Sequence, residues 1–150
     1  MIKFPGGLEM NGKEKPIGYW LKAADLSITA KVNENLAQFK ITRFHWQVLN
    51  TIKDHDMITK AQILGTLKNF LDENRLEEIL RDFTERKWIY EEARSGTITI
   101  QLTEEGKKAY EEILAKQQQT RMQLFAGLTM EDYETTIKVL KKVVENAKKM

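Results

Sequence analysis

The chain has 150 residues, of which 41% are hydrophobic and 31% are charged, and its formal net charge is +2. This length suffices for one domain with a substantial core or for a small domain with dimerising arms. The net charge is too small to indicate nucleic-acid binding by itself, so such binding would require cations that are clustered on one surface. The absence of cysteine excludes disulfides and thiolate metal sites, and two histidines are too few to indicate a metal cluster. Because no apolar run could cross a membrane and no signal-peptide pattern is present, we expect a cytoplasmic protein without a membrane partner.

The N-terminal part of the chain predicts an arm followed by helices. Residues 1–15 include a proline and three glycines and predict an irregular arm. Apolar residues then recur every three or four positions, and Pro16 suits a first helical turn, so residues 16–40 predict a long helix for dimerisation. Thr42 can cap a second helix that runs to Lys53.

The pattern over residues 41–102 predicts a compact helical lobe that ends in a hairpin. Thr59 and Gln62 have the spacing of a capping box at the start of a third helix, which we expect to end near Phe70. Asp72 then predicts the cap of a fourth helix that ends at about residue 87. These two helices are the expected helix-turn-helix of the lobe.

A β-hairpin is predicted directly after the fourth helix. Ile98, Ile100 and Leu102 alternate with polar residues, which is the period of a half-buried strand, and Ser95-Gly96 supplies a tight turn. Helix, helix and hairpin in this order predict a mainly α fold with a small β-hairpin wing, the winged helix-turn-helix. Such lobes usually bind DNA.

Residues 103–150 predict two further dimerisation helices that complete one integrated domain. Thr103 and Thr129 are suitable caps, and Gly127 is a suitable end for the first of the two helices. So small a lobe cannot cover all the apolar stripes, so we expect a symmetric homodimer; a monomeric helical bundle is the alternative. The expected dimer-interface residues are Ile17, Trp20, Ile28, Phe125, Tyr133, Ile137, Leu140 and Val144.

Two motifs resemble those of one family. The run from Ile41 to Leu49, ITRFHWQVL, is similar to the second-helix signature L-T-x-x-Q-W-x-V-L of MarR-type regulators. The run from Leu102 to Gly106, LTEEG, resembles that family's L-T-x-E-G at the junction of wing and fifth helix, and the helix order matches over residues 16–149. The resemblance implies a dimeric transcription factor, often a repressor, that binds a pseudo-palindromic operator in double-stranded DNA. It further implies release of the DNA when a small, often phenolic, molecule binds.

The wing departs from the family pattern. MarR-type wings usually carry Asp-x-Arg at the tip, where the arginine enters the minor groove and the aspartate supports it. In this shorter wing Arg94, followed by a Ser-Gly turn, stands at that place. Arg94 is expected either to contact a phosphate or the minor groove or to be a solvated turn residue. Glu91 and Glu92 make the hairpin less favourable for phosphates.

The expected recognition helix is unusually acidic, because residues 72–87 include six acidic and four basic side chains. Glu78 faces outward by helical spacing and either accepts a hydrogen bond from a cytosine or is a solvated helix-favouring residue. Arg81 lies four residues from both Glu77 and Glu85, the spacing of helical ion pairs. The predicted DNA-binding residues are Lys60, Asn74, Arg75, Glu78, Arg81 and Arg94.

An effector pocket is implied by the resemblance, because MarR-like pockets lie between the dimerisation helices and the DNA-binding lobe. Aromatic rings with one cation or imidazole suit a small aromatic carboxylate. The alternative is that these side chains belong to the core or the dimer interface. The candidates are Tyr19, Trp20, Arg43, His45, Trp46 and Met122.

The sequence contains no Ser/His/Asp arrangement, phosphate-cradling glycine loop or metal-ligand spacing, so we expect neither an enzyme nor a cofactor. The expected function is that of a dimeric MarR-like transcriptional repressor modulated by a small ligand. The alternative is a winged-helix dimer that has lost DNA binding and serves as a protein-interaction or ligand-binding module.

Overall fold

The computed structural model describes residues 12–150, and over this range it contains six α-helices and one β-hairpin. The helices are α1 (Ile17–Leu36), α2 (Arg43–Lys53), α3 (Lys60–Leu67), α4 (Glu73–Glu85), α5 (Glu104–Leu124) and α6 (Met130–Lys148), and the strands are β1 (Ile89–Arg94) and β2 (Thr97–Leu102). This order confirms the predicted mainly α winged-helix class. Of the predicted arm, residues 1–11 lie outside the described range, and the residues from 12 to 16 form no helix or strand.

The chain divides into two compact units. The first ends at Thr120, and the second is Arg121–Met150, which contains the end of α5 and all of α6. The hydrophobic core lies in the first unit, where every element from α1 to α5 contributes to it. Its fully buried large side chains are Leu36, Val48, Leu49, Ile52, Ile58, Ile63, Leu76, Ile79, Phe83 and Ile113. The buried positions on α4 follow the helical period, so the opposite face of α4 is left exposed.

Hydrogen bonds confirm the predicted caps of α3, α4 and α6. In the capping box of α3, the Gln62 N–H donates to Thr59 Oγ1 at 3.1 Å and the Thr59 N–H donates to the Gln62 side chain at 2.9 Å. Asp72 accepts from the Arg75 N–H at 2.8 Å at the start of α4. Thr129 begins α6 in the same way as Thr59 begins α3. Each cap satisfies N–H groups that a helix start leaves without a partner.

Three helices end slightly earlier than predicted: α3 ends at Leu67, and α1 and α4 end where the chain turns sharply. Helix α1 ends at Leu36, and a 3-10 turn over Ala37–Phe39 leads to Lys40, whose φ of 56° is left-handed. Helix α4 ends at Glu85, and Lys87 has a φ of 61°. A left-handed residue cannot continue a right-handed helix, so these two lysines set the entry to α2 and to the hairpin.

The hairpin has the alternation predicted from the sequence. β1 and β2 are antiparallel, with Glu91 opposite Ile100 and Glu92 opposite Thr99. Ile100 is buried, and its backbone also forms a bridge with Ile58 before α3, which fixes the wing to the lobe. Ser95 and Gly96 both have positive φ, the conformation of a type I′ hairpin turn.

Gly106 explains the LTEEG motif at the end of the wing. It is buried at the start of α5, where a Cβ atom would overlap the carbonyl oxygen of Trp88 and lie 2.8 Å from the carbonyl carbon. The Thr103 N–H donates to the same Trp88 oxygen at 2.9 Å, and Thr103 Oγ1 accepts from the Gly106 N–H at 2.9 Å. Only glycine permits this close passage of α5 past the residue that precedes β1.

No helix among residues 12–150 combines the length and apolar character needed to cross a bilayer.

Candidate nucleic-acid interface

Lys60, the first residue of α3, is held by carboxylates of α4. Its Nζ lies 2.7 Å from Glu77 Oε1 and 3.8 Å from Glu73 Oε1. The hydrogen bond to Glu77 raises the pKa of Lys60 above its ordinary value, and the same bond lowers the pKa of Glu77. The ammonium group of this predicted DNA-binding residue is therefore already paired with acidic side chains in the folded chain.

The exposed surface of α4 carries the other predicted residues. Asn74, Arg75, Glu78 and Arg81 are all exposed, as helical spacing predicts. The Arg75 guanidinium lies 5.4 Å from the centroid of the Phe44 ring on α2, a cation–π contact that restrains it. This surface therefore combines two cations, one amide and one carboxylate, which are donors and acceptors suited to the edges of bases.

Among the described residues, Arg81 forms neither of the ion pairs that its helical spacing from Glu77 and Glu85 predicts, and Glu77 instead lies 2.7 Å from Lys60. Within the described part of the chain, Arg81 makes no short ion pair, and its effect on Glu77 is a weaker Coulombic attraction that helps to lower the pKa of that carboxyl. Sequence spacing detects pairs within one helix, whereas Lys60 and Glu77 are joined only by the crossing of α3 and α4.

The wing contains a functional candidate that the sequence analysis missed. Glu92 Oε1 accepts from Arg94 Nε at 3.0 Å, and its other oxygen accepts from Gln101 Nε2 at 2.8 Å. The hydrogen bonds from Arg94 and Gln101 hold the pKa of Glu92 below its usual range. The signal was present as Glu92-x-Arg94, the acid-x-Arg spacing expected for the wing tip. Arg94 is therefore paired with a carboxylate of its own strand, while its side chain stays 61% exposed.

The position of α4 is fixed by a polar network at the start of α2. His45 Nδ1 accepts from the Thr42 N–H at 3.2 Å, and Nε2 lies 3.5 Å from Asp82 Oδ2. Asp82 also accepts from Arg86 Nε at 2.9 Å, and the Arg86 guanidinium donates to the carbonyl oxygens of Phe39 and Lys40 at 2.8 and 2.7 Å. One of the four basic residues of the recognition segment therefore faces the protein and anchors α4.

The five predicted effector-pocket residues of the first unit take part in different contacts. Trp20 is 53% exposed and packs edge-on to Tyr19, with 5.1 Å between ring centroids. Arg43 Nη1 donates to Thr29 Oγ1 at 2.6 Å, which ties α2 to α1, while His45 belongs to the network with Asp82. The aromatic pair on the core side is formed by Trp46, which stacks on Tyr110 at 5.3 Å.

Met122, the sixth candidate, belongs to the second unit and is 76% exposed. Arg43, His45 and Trp46 each have structural partners of their own. The burial of Trp46 against the core supports the core assignment over a ligand contact for that residue.

Of the eight expected dimer-interface residues, three are exposed in the single chain and five are partly exposed. Ile17 and Trp20 on α1 and Val144 on α6 are each 53% exposed. Phe125, Tyr133, Ile137 and Leu140 are partly exposed in the second unit, where Phe125 and Tyr133 pack edge-on with 5.3 Å between centroids. Ile28 differs, since it packs against the core of the first unit.

Comparison with known proteins shows where this arrangement recurs. No family model matches the chain, and no curated protein matches it in sequence. Among solved structures, a mutant of E. coli MarR complexed with operator DNA has 23% identity and a TM-score of 0.75, with 85% of this chain and 93% of that chain covered. The chain has the winged-helix fold of the MarR regulators.

Two further structures share the MarR fold with this chain. S. aureus MepR in complex with DNA has 23% identity and a TM-score of 0.74, with coverage of 88% of this chain and 96% of that chain. Bordetella bronchiseptica BpsR, whose DNA binding is regulated by 6-hydroxynicotinic acid, has 19% identity and a TM-score of 0.74, with coverage of 93% and 99%. The MarR fold therefore extends over nearly the whole chain, beyond the winged lobe alone.

Proposed function

We propose that this protein is a homodimeric transcriptional repressor of the MarR type that binds a pseudo-palindromic site in double-stranded DNA. The observation that carries the proposal is the fold match to MarR and MepR, both of which are solved with DNA. In a dimer, α4 of each lobe would enter the major groove at half-sites about 34–36 Å apart.

The contacts we assign follow from the exposed surface of α4 and from the wing. Asn74 and Arg75, in the first turn of α4, would meet base edges, and Arg81 would contact the duplex one to two turns later. Glu78 would accept from a cytosine amino group. Arg94, oriented by Glu92, would reach the minor groove or its phosphates from the wing.

Dimerisation is proposed from the exposed apolar residues of α1 and α6. On α6, Tyr133, Ile137, Leu140 and Val144 repeat in steps of four, three and four, which is the seam of a packed helix pair. Their partial exposure in the single chain leaves apolar area that a second copy would cover.

Modulation by a small aromatic acid is proposed by analogy with BpsR, which 6-hydroxynicotinic acid regulates. Titration of the protein–DNA complex with aromatic carboxylates would test it, and release of DNA at ligand concentrations that leave the protein folded would support it. Loss of release in R43A, with unaltered DNA affinity, would identify Arg43 as the carboxylate partner.

The proposed DNA binding is tested by fluorescence anisotropy with the protein's own upstream DNA and a random duplex of equal length. We expect selective binding that weakens steeply with salt. R75A and R81A should each weaken binding, by about 1–3 kcal/mol where the side chain reads a base, and R75A should also relax sequence preference. K22A, which removes one exposed charge from α1, is the matched control and should leave binding unchanged.

The second candidate function is a winged-helix dimer that binds a protein or a small ligand instead of DNA. The observation that favours it is the neutralisation of one predicted contact, since Lys60 is paired with Glu77 and lies within 4 Å of Glu73. If the wild type binds neither duplex at low salt and selects no genomic sequence, that result would reject the transcriptional regulator in favour of this second function.

A further inference from the structure

Three carboxylates act on the single ammonium group at the start of α3. Glu77 and Glu73 lie one helical turn apart on α4, and both have an oxygen within 4 Å of Lys60 Nζ, at 2.7 and 3.8 Å. Glu91 on β1 adds a third Coulombic attraction. The side chains of Lys60 and Glu77 are 45% and 44% exposed, so the group sits at the surface where α3 would approach DNA.

We propose that Glu77, assisted by Glu73, is a negative determinant of DNA affinity that withholds Lys60 from the phosphate backbone. This inference rests on the proposed function, because it concerns the affinity of the same surface. We name Lys60, Glu73 and Glu77 the carboxylate clamp.

The clamp opposes binding in two ways. A phosphate that approaches Lys60 must displace the Glu77 oxygen from the ammonium group, so the contact releases less free energy than one to a solvated lysine. The two carboxylates also leave the cluster with an excess of negative charge, which repels the phosphate. Lys60 therefore contributes less to the electrostatic part of the DNA affinity, which arises from the neutralisation of phosphates.

The test is the salt dependence of binding to the random duplex, measured for wild type and E77Q. Each new phosphate contact steepens the slope of log K against log salt by about 0.9, so a dimer with two released lysines should gain about 1.8. Between about 50 and 200 mM salt, E77Q should then lose roughly twelvefold more affinity than the wild type, having bound more tightly at the lower salt.

Two control variants separate the clamp from a general charge effect. E85Q makes the same charge change on the same helix, and Glu85 is exposed without an ion pair in the described part of the chain. We expect E85Q to leave the slope near the wild-type value. K60A/E77Q should lose the gain entirely, because the released cation is absent.

The outcomes distinguish the inference from the proposed function. A higher affinity and a steeper salt slope in E77Q, both absent in K60A/E77Q, establish the clamp. Selective binding by the wild type together with an unchanged or weaker E77Q, or an equal gain in E85Q, overturns the clamp alone. Absence of binding to either duplex by the wild type and by E77Q, both folded by circular dichroism, overturns the proposed function and the clamp with it.

Discussion

His45 makes the stability of this protein sensitive to pH because its ring must be neutral to hold the start of α2. Nδ1 accepts the Thr42 N–H at 3.2 Å, and a protonated ring nitrogen could not accept it. Burial lowers the pKa of His45 below its ordinary 6.5; Asp82 opposes this shift, while Arg86 and Arg75 add to it. The perturbation we choose is H45Q, since glutamine is a normal capping-box residue without a charge.

The sign follows from proton linkage. A histidine whose pKa is lowered on folding binds protons more readily in the unfolded chain, so its contribution is complete above pH 6.5 and declines as pH falls below that value. Protonation removes one acceptor from one N–H at a helix start, which corresponds to about 1 kcal/mol. Wild type should therefore lose about 1 kcal/mol of unfolding free energy between about pH 7.5 and 5.5 through this group, and H45Q should not.

The assay is urea denaturation of both proteins at the two pH values and at one protein concentration, because the proposed dimerisation would make stability depend on concentration. His55 is present in both proteins, so the difference between them isolates His45. H45A, which removes the acceptor at every pH, should be less stable than H45Q by about 1 kcal/mol at the higher pH. The same pH dependence in wild type and H45Q would refute the neutral-cap argument.

The other predictions concern packing, assembly and the wing. G106A should lower the melting temperature by several degrees, because its methyl group overlaps the Trp88 carbonyl. G65A has open space around the added atom and should be neutral or stabilising by up to about 1 kcal/mol. A G106A variant as stable as the wild type would contradict the close approach. I137K/V144K should have the mass of a monomer when light scattering is measured at micromolar concentration. A mass equal to that of a wild-type dimer would show that the interface does not include Ile137 and Val144. R94A should weaken binding to all duplexes alike and make the salt slope shallower by about 0.9 per lobe, and an unchanged slope would exclude a phosphate contact.

Local chemistry in the sequence determined the elements of this fold. Thr59, Asp72 and Thr129 each cap the helix predicted to follow them, because a cap and its N–H partner lie within three residues of each other. The β2 alternation and the Ser95-Gly96 turn are equally local. Periodicity then identified the buried face of α4, and with it which residues remain outside.

The tertiary structure alone decided which charges are available on that outer face. Lys60 and Glu77 are separated by 17 residues, and Arg86 donates to Phe39 across 47, so neither pairing could be read from helical spacing. These partners depend on the relative positions of α3 and α4 and on the position of the turn before α2. The packing of the whole core determines those positions. The sequence thus determined the winged-helix elements and their exposed faces, while the crossing of those elements set the electrostatic character of the candidate DNA surface.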